Sequence, residues 1–247
     1  MGIMDIFKKE NREAKNLEKH SRRVVNRNAQ HEDRMASMEA LAELANSGES
    51  SALLAILRRF EMTLEKAPEE EAEKQFVREI IREFDEEGVI AIRTFMKESE
   101  AVTWPIELLR TMRSDEAVTE AILDTLELEI SRDTVKPNKK LRLMEHLSGN
   151  TDPRVVEILI PALMDFDETV RLRAAEVLFS VGDERAREPL LEMMIDEDSD
   201  SERIRNTVIR GFVKTGWLVT GYRPQVEALL DEHHHVNRTG HIRRVGE

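Results

Sequence analysis

The sequence predicts an all-α fold, an α-solenoid of about six stacked helix pairs followed by a small C-terminal β-hairpin. Three observations predict it. Gly (10), Pro (7) and aromatic residues (4%) are sparse, while Ala, Leu, Glu, Arg and Met dominate the 247 residues; this is a helix-forming vocabulary, not a strand-forming one. From Asp33 onward, helical periodicity alternates with short breaks. The chain also repeats itself: a shift of 31 residues lays Lys139–Asp165 over Val170–Asp196 without a gap, with nine identities in 27 positions. They are Leu141/Leu172, Arg142/Arg173, Glu145/Glu176, Leu147/Leu178, Asp152/Asp183, Arg154/Arg185, Glu157/Glu188, Leu159/Leu190 and Asp165/Asp196.

Residues 1–30 form a basic helical extension. Positions 1–27 carry a local charge of +4, which leaves -17 on the remainder of a chain whose total is -13. The heptad stripe from Ile3 through Phe7, Ala14, Leu17 and Val24 is interrupted by Glu10, Ser21 and Asn28, so it is a poor coiled-coil seam. Its apolar tip, Ile3-Met4-Ile6-Phe7, suits a cap over the end of the solenoid, docking on a partner, or insertion at an anionic membrane surface. The solenoid spans 31–231. Its pairs are 33–45 with 50–66, 69–86 with 87–98, 102–113 with 115–131, 139–148 with 153–164, and 169–181 with 184–195. A sixth opens at Ile204-Arg205 and continues through Val208 and Phe212. Gly149 and Gly182 stop helices, while Pro153 and Trp104-Pro105 open them. Residues 232–247 are a His-rich tail or hairpin, with Asn237-Arg238-Thr239-Gly240 as the turn.

Asp167-Glu168-Thr169-Val170-Arg171-Leu172-Arg173-Ala174-Ala175, followed by Gly182-Asp183 and Pro189-Leu190-Leu191, resembles the HEAT-like repeat also found in phycobilisome lyases. The likeness is sharp over 139–196 and fades on either side. It implies a solenoid whose second helices line a concave face, and that face would present Arg154, Glu157, Arg185, Glu188 and Glu192. The regular i, i+3 spacing of Arg154/Glu157 and Arg185/Glu188 predicts a salt-bridge ladder between repeats. Arg142, Arg171, Arg173 and Arg205 are expected to bond from repeat to repeat beside Asp165 and Asp196.

Candidate chemistry is thin. His233, His234, His235 and His241 are the one dense set of metal-capable side chains, and a hairpin would set His241 across from one or two of the others. Three consecutive residues diverge in any regular backbone and no acidic or cysteine partner stands at ligand spacing, so no metal and no cofactor are assigned. Cys is absent, which excludes disulfides, thiolate zinc sites and cysteine nucleophiles, and points to a reducing, cytoplasmic setting. No P-loop, nucleophile elbow, dinucleotide loop or His-Glu-x-x-His motif occurs. Deoxyhypusine hydroxylases share the architecture but need several His–Glu pairs, and this chain has only His31-Glu32. DNA glycosylases built from such repeats need a basic groove, which the acidic solenoid opposes. Bilin lyase activity would rest on the repeat alone. Glu69-Glu70-Glu71 and Asp196–Glu202 read as solvated acidic stretches. The function expected is a non-enzymatic scaffold or adaptor for a protein partner, one with a basic surface, through the concave face and Ile3, Ile6 and Phe7. Nucleic acid is not the main ligand; a membrane surface and self-association are secondary expectations.

Overall fold

A computed structural model describes residues 3–132, 136–196 and 201–246, with side chains from Arg12 onward. Among the described residues, thirteen α-helices and two 3-10 turns account for the regular structure, apart from one two-stranded antiparallel ribbon. The chain divides into two compact units, Met1–Ala121 and Ile122–Glu247.

In the first unit, α1 (Ile3–Val24) packs on α2 (His31–Asn46) and on α3 (Ser51–Leu57), which continues into a 3-10 turn at Arg58–Glu61. The pairs α4 (Ala67–Glu83) with α5 (Asp85–Glu98), and α6 (Thr103–Met112) with the start of α7 (Asp115–Ser131), follow. The stack runs α2 on α4, α3 on α5 and α5 on α6. Met38, Leu41, Leu53, Ile56, Ile81, Ile92 and Ile106 are fully or almost fully buried between the layers. In none of α2 to α6 does the N-cap side chain accept a hydrogen bond from a helix amide. These helices are held by packing, supplemented by Pro68 in the first turn of α4, where a missing donor costs nothing.

The second unit contains α8 (Asn138–Glu145), α9 (Pro153–Ala162), α10 (Glu168–Val181), α11 (Arg187–Ile195), α12 (Glu202–Thr215) and α13 (Arg223–Leu229). Helix α10 lies at its centre, against α8, α9 and α12. Here α9, α10 and α12 begin at side-chain caps. Asp152 accepts from the Arg154 amide at 2.9 Å, Asp167 from Thr169 at 2.8 Å, and Ser201 from Ile204 at 3.3 Å. Gly182 and Gly216 terminate α10 and α12 in the left-handed region, at φ 76° and 69°. The expected helix over 184–195 is instead a 3-10 turn, Glu184–Ala186, followed by α11. Asp183 caps that turn by accepting from the Arg185 amide at 2.9 Å. Helix α8 stops at Glu145, three residues earlier than its periodicity predicts, and the chain turns through Gly149 at φ 71°.

The C-terminal hairpin pairs β1 (His234–Val236) with β2 (Ile242–Arg244) and packs against α12 and α13, burying Val236 and Ile242. It is a folded element of the unit. Next to it, Phe179 on α10, Phe212 on α12 and Trp217 form a mutual aromatic cluster with centroid separations of 5.7 to 6.0 Å. Gly211 makes this cluster possible. A Cβ there would lie 2.3 Å from the Phe179 ring, so any side chain would displace it. Gly211→Ala is therefore expected to destabilise the protein by about 1–3 kcal/mol in urea unfolding, because overpacking outweighs alanine's helix advantage of about 1 kcal/mol.

Candidate protein-interaction surface

Successive helix pairs are joined at their edges by polar contacts that reach from one pair to the next, 27 to 30 residues along the chain. In the first unit Arg78 on α4 binds Glu107 on α6 at 2.8 Å, and Arg93 on α5 binds Glu120 on α7 at 3.3 Å. In the second unit Arg154 on α9 binds Asp124 on α7 at 2.8 Å, Arg185 binds Glu157 on α9 at 3.1 Å, and Tyr222 donates to Glu192 on α11 at 3.0 Å. The Asp124 carboxylate raises Arg154 above its ordinary value, and the hydrogen bond to Glu192 does the same for the Tyr222 phenol.

The expected ladder between repeats is present, with partners other than those the spacing suggests. Arg154/Glu157 and Arg185/Glu188 do not pair at i, i+3. A neighbouring second helix lies alongside, so each guanidinium reaches back to the preceding repeat, and Glu188 pairs instead with Arg187 at 2.7 Å. Of the first-helix arginines, Arg171 bonds back to the turn of the preceding repeat as expected, and Arg173 does not. Arg171 donates to the carbonyls of Asp165 and Phe166 at 2.7 and 3.1 Å, while the Asp165 carboxylate is taken by the buried Lys140 at 2.6 Å. Arg173 pairs with Glu176 on its own helix at 3.1 Å.

Between the second helices the ladder leaves shallow grooves with apolar floors. One lies between α7 and α9, about 320 Å³, with Ile130, Ile158 and Pro161 beneath Glu127, Arg154 and Glu157. A similar groove of about 300 Å³ lies between α3 and α5 and is lined by Leu53, Leu54, Ala91 and the 58% exposed Ile90. In the turn after α9, Met164 and Phe166 are 67% and 79% exposed.

Helix pairs stacked through their apolar faces, with capped turns and a second-helix surface, are the anatomy of a known repeat. A family model for HEAT repeats matches residues 128–211. Over this stretch the chain is similar to HEAT repeats. The match covers α8 to α11 and most of α12, the part of the chain where the internal duplication is clearest. The curated proteins contain no match to the chain. HEAT repeats in general serve as scaffolds for protein interaction, by offering extended surfaces instead of enclosed pockets.

The remaining predicted residues fall as follows. Ile3, Ile6 and Phe7 belong to α1, and their side chains lie outside the described residues, as do residues 197–200 of the acidic stretch. The hairpin does not bring the histidines together: His234 stands opposite Arg244 and His235 opposite Arg243, while His241 falls outside the strand pairing and bridges to Leu218. Among the described residues no group of three His, Asp or Glu side chains is disposed to hold a metal. The acidic stretch at the start of α4 is not simply solvated. Glu70 receives Arg59 at 3.0 Å, Lys74 and the Leu64 amide at 2.8 Å.

Glu70 belongs to a buried ionic cluster that periodicity alone does not reveal. Glu73, with no exposed side-chain surface, receives Arg34 at 2.8 Å, His31 Nδ1 at 2.8 Å and Arg59, whose guanidinium is also fully buried. Arg34 further donates to the Ala29 carbonyl, tying α2 to the turn that follows α1. The available signal is that Arg34 and Glu73 occupy core-facing positions of apolar stripes, four and seven residues before Met38 and Leu41, and before Val77 and Ile80. Above the cluster Trp104 stacks on Phe60 at 6.2 Å and carries Arg78 over its ring at 4.4 Å.

Burial works to raise the Glu73 carboxyl, but the hydrogen bonds from Arg34, His31 and Arg59 outweigh it and hold the group below its ordinary 4.5. The stability this contributes is complete above pH 4.5 and is lost as the pH falls through the depressed folded value. Glu73→Gln, which strips two buried guanidiniums of their shared anion, is expected to cost about 3–5 kcal/mol in urea unfolding at pH 7. The difference from wild type should shrink in acid, where the wild-type carboxyl is itself neutralised. A difference that stays constant down to acid pH would contradict this account.

Proposed function

We propose that the chain is a non-enzymatic scaffold that binds a protein partner along its second helices, principally in the groove between α7 and α9. The observation that carries this reading is the apolar floor of Ile130, Ile158 and Pro161 within the stretch similar to HEAT repeats. The arginine on its rim is already committed: Arg154 is held by Asp124, so the groove is stiffened before a partner arrives. Two rim carboxylates, Glu127 and Glu157, are about two-thirds exposed and favour a partner that flanks its apolar anchor with basic residues. A helix laid apolar face down, its lysines or arginines toward these carboxylates, meets both conditions. We place the scaffold in the cytoplasm as part of the same proposal, on its cysteine-free composition. Among the described residues no helix is long and apolar enough to cross a membrane.

Ile130 and Pro161 are accessible without being part of the deep core, so they can be changed with little effect on folding. Cross-linking and affinity capture from extracts of the source organism should recover a partner with the wild-type protein. Recovery should fall by about tenfold or more with Ile130→Glu and Pro161→Glu, the loss expected when a central apolar anchor is replaced by a charge. A partner retained equally by both variants, with circular dichroism unchanged, would move the binding surface elsewhere.

A further inference from the structure

In a chain of net charge -13, one cleft in the second unit has the opposite character. It lies between α10, α12 and the C-terminal hairpin, has a volume of about 460 Å³, and is lined by Arg203, Arg210, Arg244 and His234 over a floor of Leu172 and Ile209. The hairpin assembles it. Alternate residues of a two-stranded ribbon share a face, so the side that buries Val236 and Ile242 also carries His234 and Arg244, while His235 and Arg243 are on the other side. Docking of that face on α12 sets His234 and Arg244 beside Arg210.

The negative charge near the cleft is already used. Glu176, its one carboxylate, pairs with Arg173 at 3.1 Å, and Glu168 pairs with Arg203 at 3.0 Å. Neither Arg210 nor Arg244 has a carboxylate partner among the described residues, whereas most other arginines on this unit's surface do. Arg210 is aimed by its own helix: Nε donates to the Asn206 carbonyl at 3.1 Å and Nη2 to Thr207 Oγ1 at 3.4 Å, which leaves Nη1 for a ligand. His234 is oriented too. Its Nδ1 is engaged by Asp231 at 2.7 Å, so Nε2 is the ring nitrogen available to the cleft.

We infer that this cleft binds a phosphate monoester. Two uncompensated guanidinium forks match the tetrahedral oxygens of a phosphoryl group, and an imidazole Nε2 either donates to such an oxygen or accepts from its P–OH. The cleft accommodates a phosphoryl group with a few attached atoms, and its apolar floor accepts the carbon to which the ester is joined. A phosphoserine side chain of a partner and free phosphate share this chemistry. The inference is independent of the α7/α9 groove, since the two sites have no residue in common.

The test is calorimetric titration of the full chain at low ionic strength with inorganic phosphate, a phosphoserine peptide, its unphosphorylated counterpart and a short single-stranded oligonucleotide. Saturable binding of phosphate or of the phosphoserine peptide is expected. Arg210→Gln and Arg244→Gln should each weaken it about tenfold, the effect of one lost charge-assisted hydrogen bond. Arg238→Gln, at the hairpin tip outside the cleft, should leave it within about twofold, as a distant screened charge does. Tighter binding of the phosphopeptide than of phosphate assigns the ligand to a protein, and equal binding assigns it to free phosphate; either supports the site. Absence of binding, equal weakening by Arg238→Gln, or binding of the oligonucleotide alone would overturn it.

Discussion

A helix pair with an apolar stripe on both sides cannot exist alone in water, and everything in this chain follows from the need of each pair to be covered by the next. Within each unit, layers of leucine, isoleucine, valine and methionine supply the driving force, and it is non-directional. Direction comes from the polar contacts at the edges. Arg78 to Glu107, Arg93 to Glu120, Arg154 to Asp124 and Arg185 to Glu157 each bind one pair to its neighbour. Individually such half-exposed pairs stabilise little. Their effect is to fix the rotation and slide of one pair on the next, which an apolar interface by itself leaves loose, and so to fix the width of the grooves between second helices.

The two units anchor themselves differently. The first relies on a buried ionic knot, in which Glu73 gathers His31 and Arg34 from α2 and Arg59 from the 3-10 turn after α3, and Arg34 connects it to the turn after α1. The second relies on interlocked rings, Phe179, Phe212 and Trp217, which close over Gly211. A charge knot demands complete satisfaction, because one missing partner leaves another charge stranded in a low-dielectric interior. An aromatic cluster demands shape instead. The hairpin adds to the second unit a face no helix pair provides, and with it a cleft lined by three arginines and one carboxylate.

Binding surfaces in this architecture arise between repeats, not within them. The α7/α9 and α3/α5 grooves each draw their floor from two pairs, and the cationic cleft draws on two first helices and a strand. No single sequence motif encodes such a site. That is why apolar floors with charged rims arise on one kind of surface and a basic recess on another.

Local chemistry was readable from the sequence alone. Helix content, the 31-residue duplication, the glycine stops at 182 and the hairpin turn at 237–240 depend on neighbours a few residues apart. The repeat was clearest where side-chain caps at Asp152 and Asp167 punctuate it, and faint in the first unit, where α2 to α6 lack such caps and register is kept by packing. The ion-pair partners on this surface are not legible in the spacing. Arg154 and Arg185 have acidic neighbours at i, i+3, yet Arg154 binds Asp124, 30 residues away, and Arg185 divides itself between the adjacent Asp183 and Glu157, 28 residues away. The side-by-side distance of stacked helices, invisible in spacing, sets that choice. Only the tertiary structure decided it, as it decided that Arg34 and Glu73, 39 residues apart in the chain, would satisfy one another in the core, and that His234 and Arg244 would meet Arg210. A sequence determines which local forms are cheap; the pairing of charges across repeats depends on distances that exist only once the layers have closed.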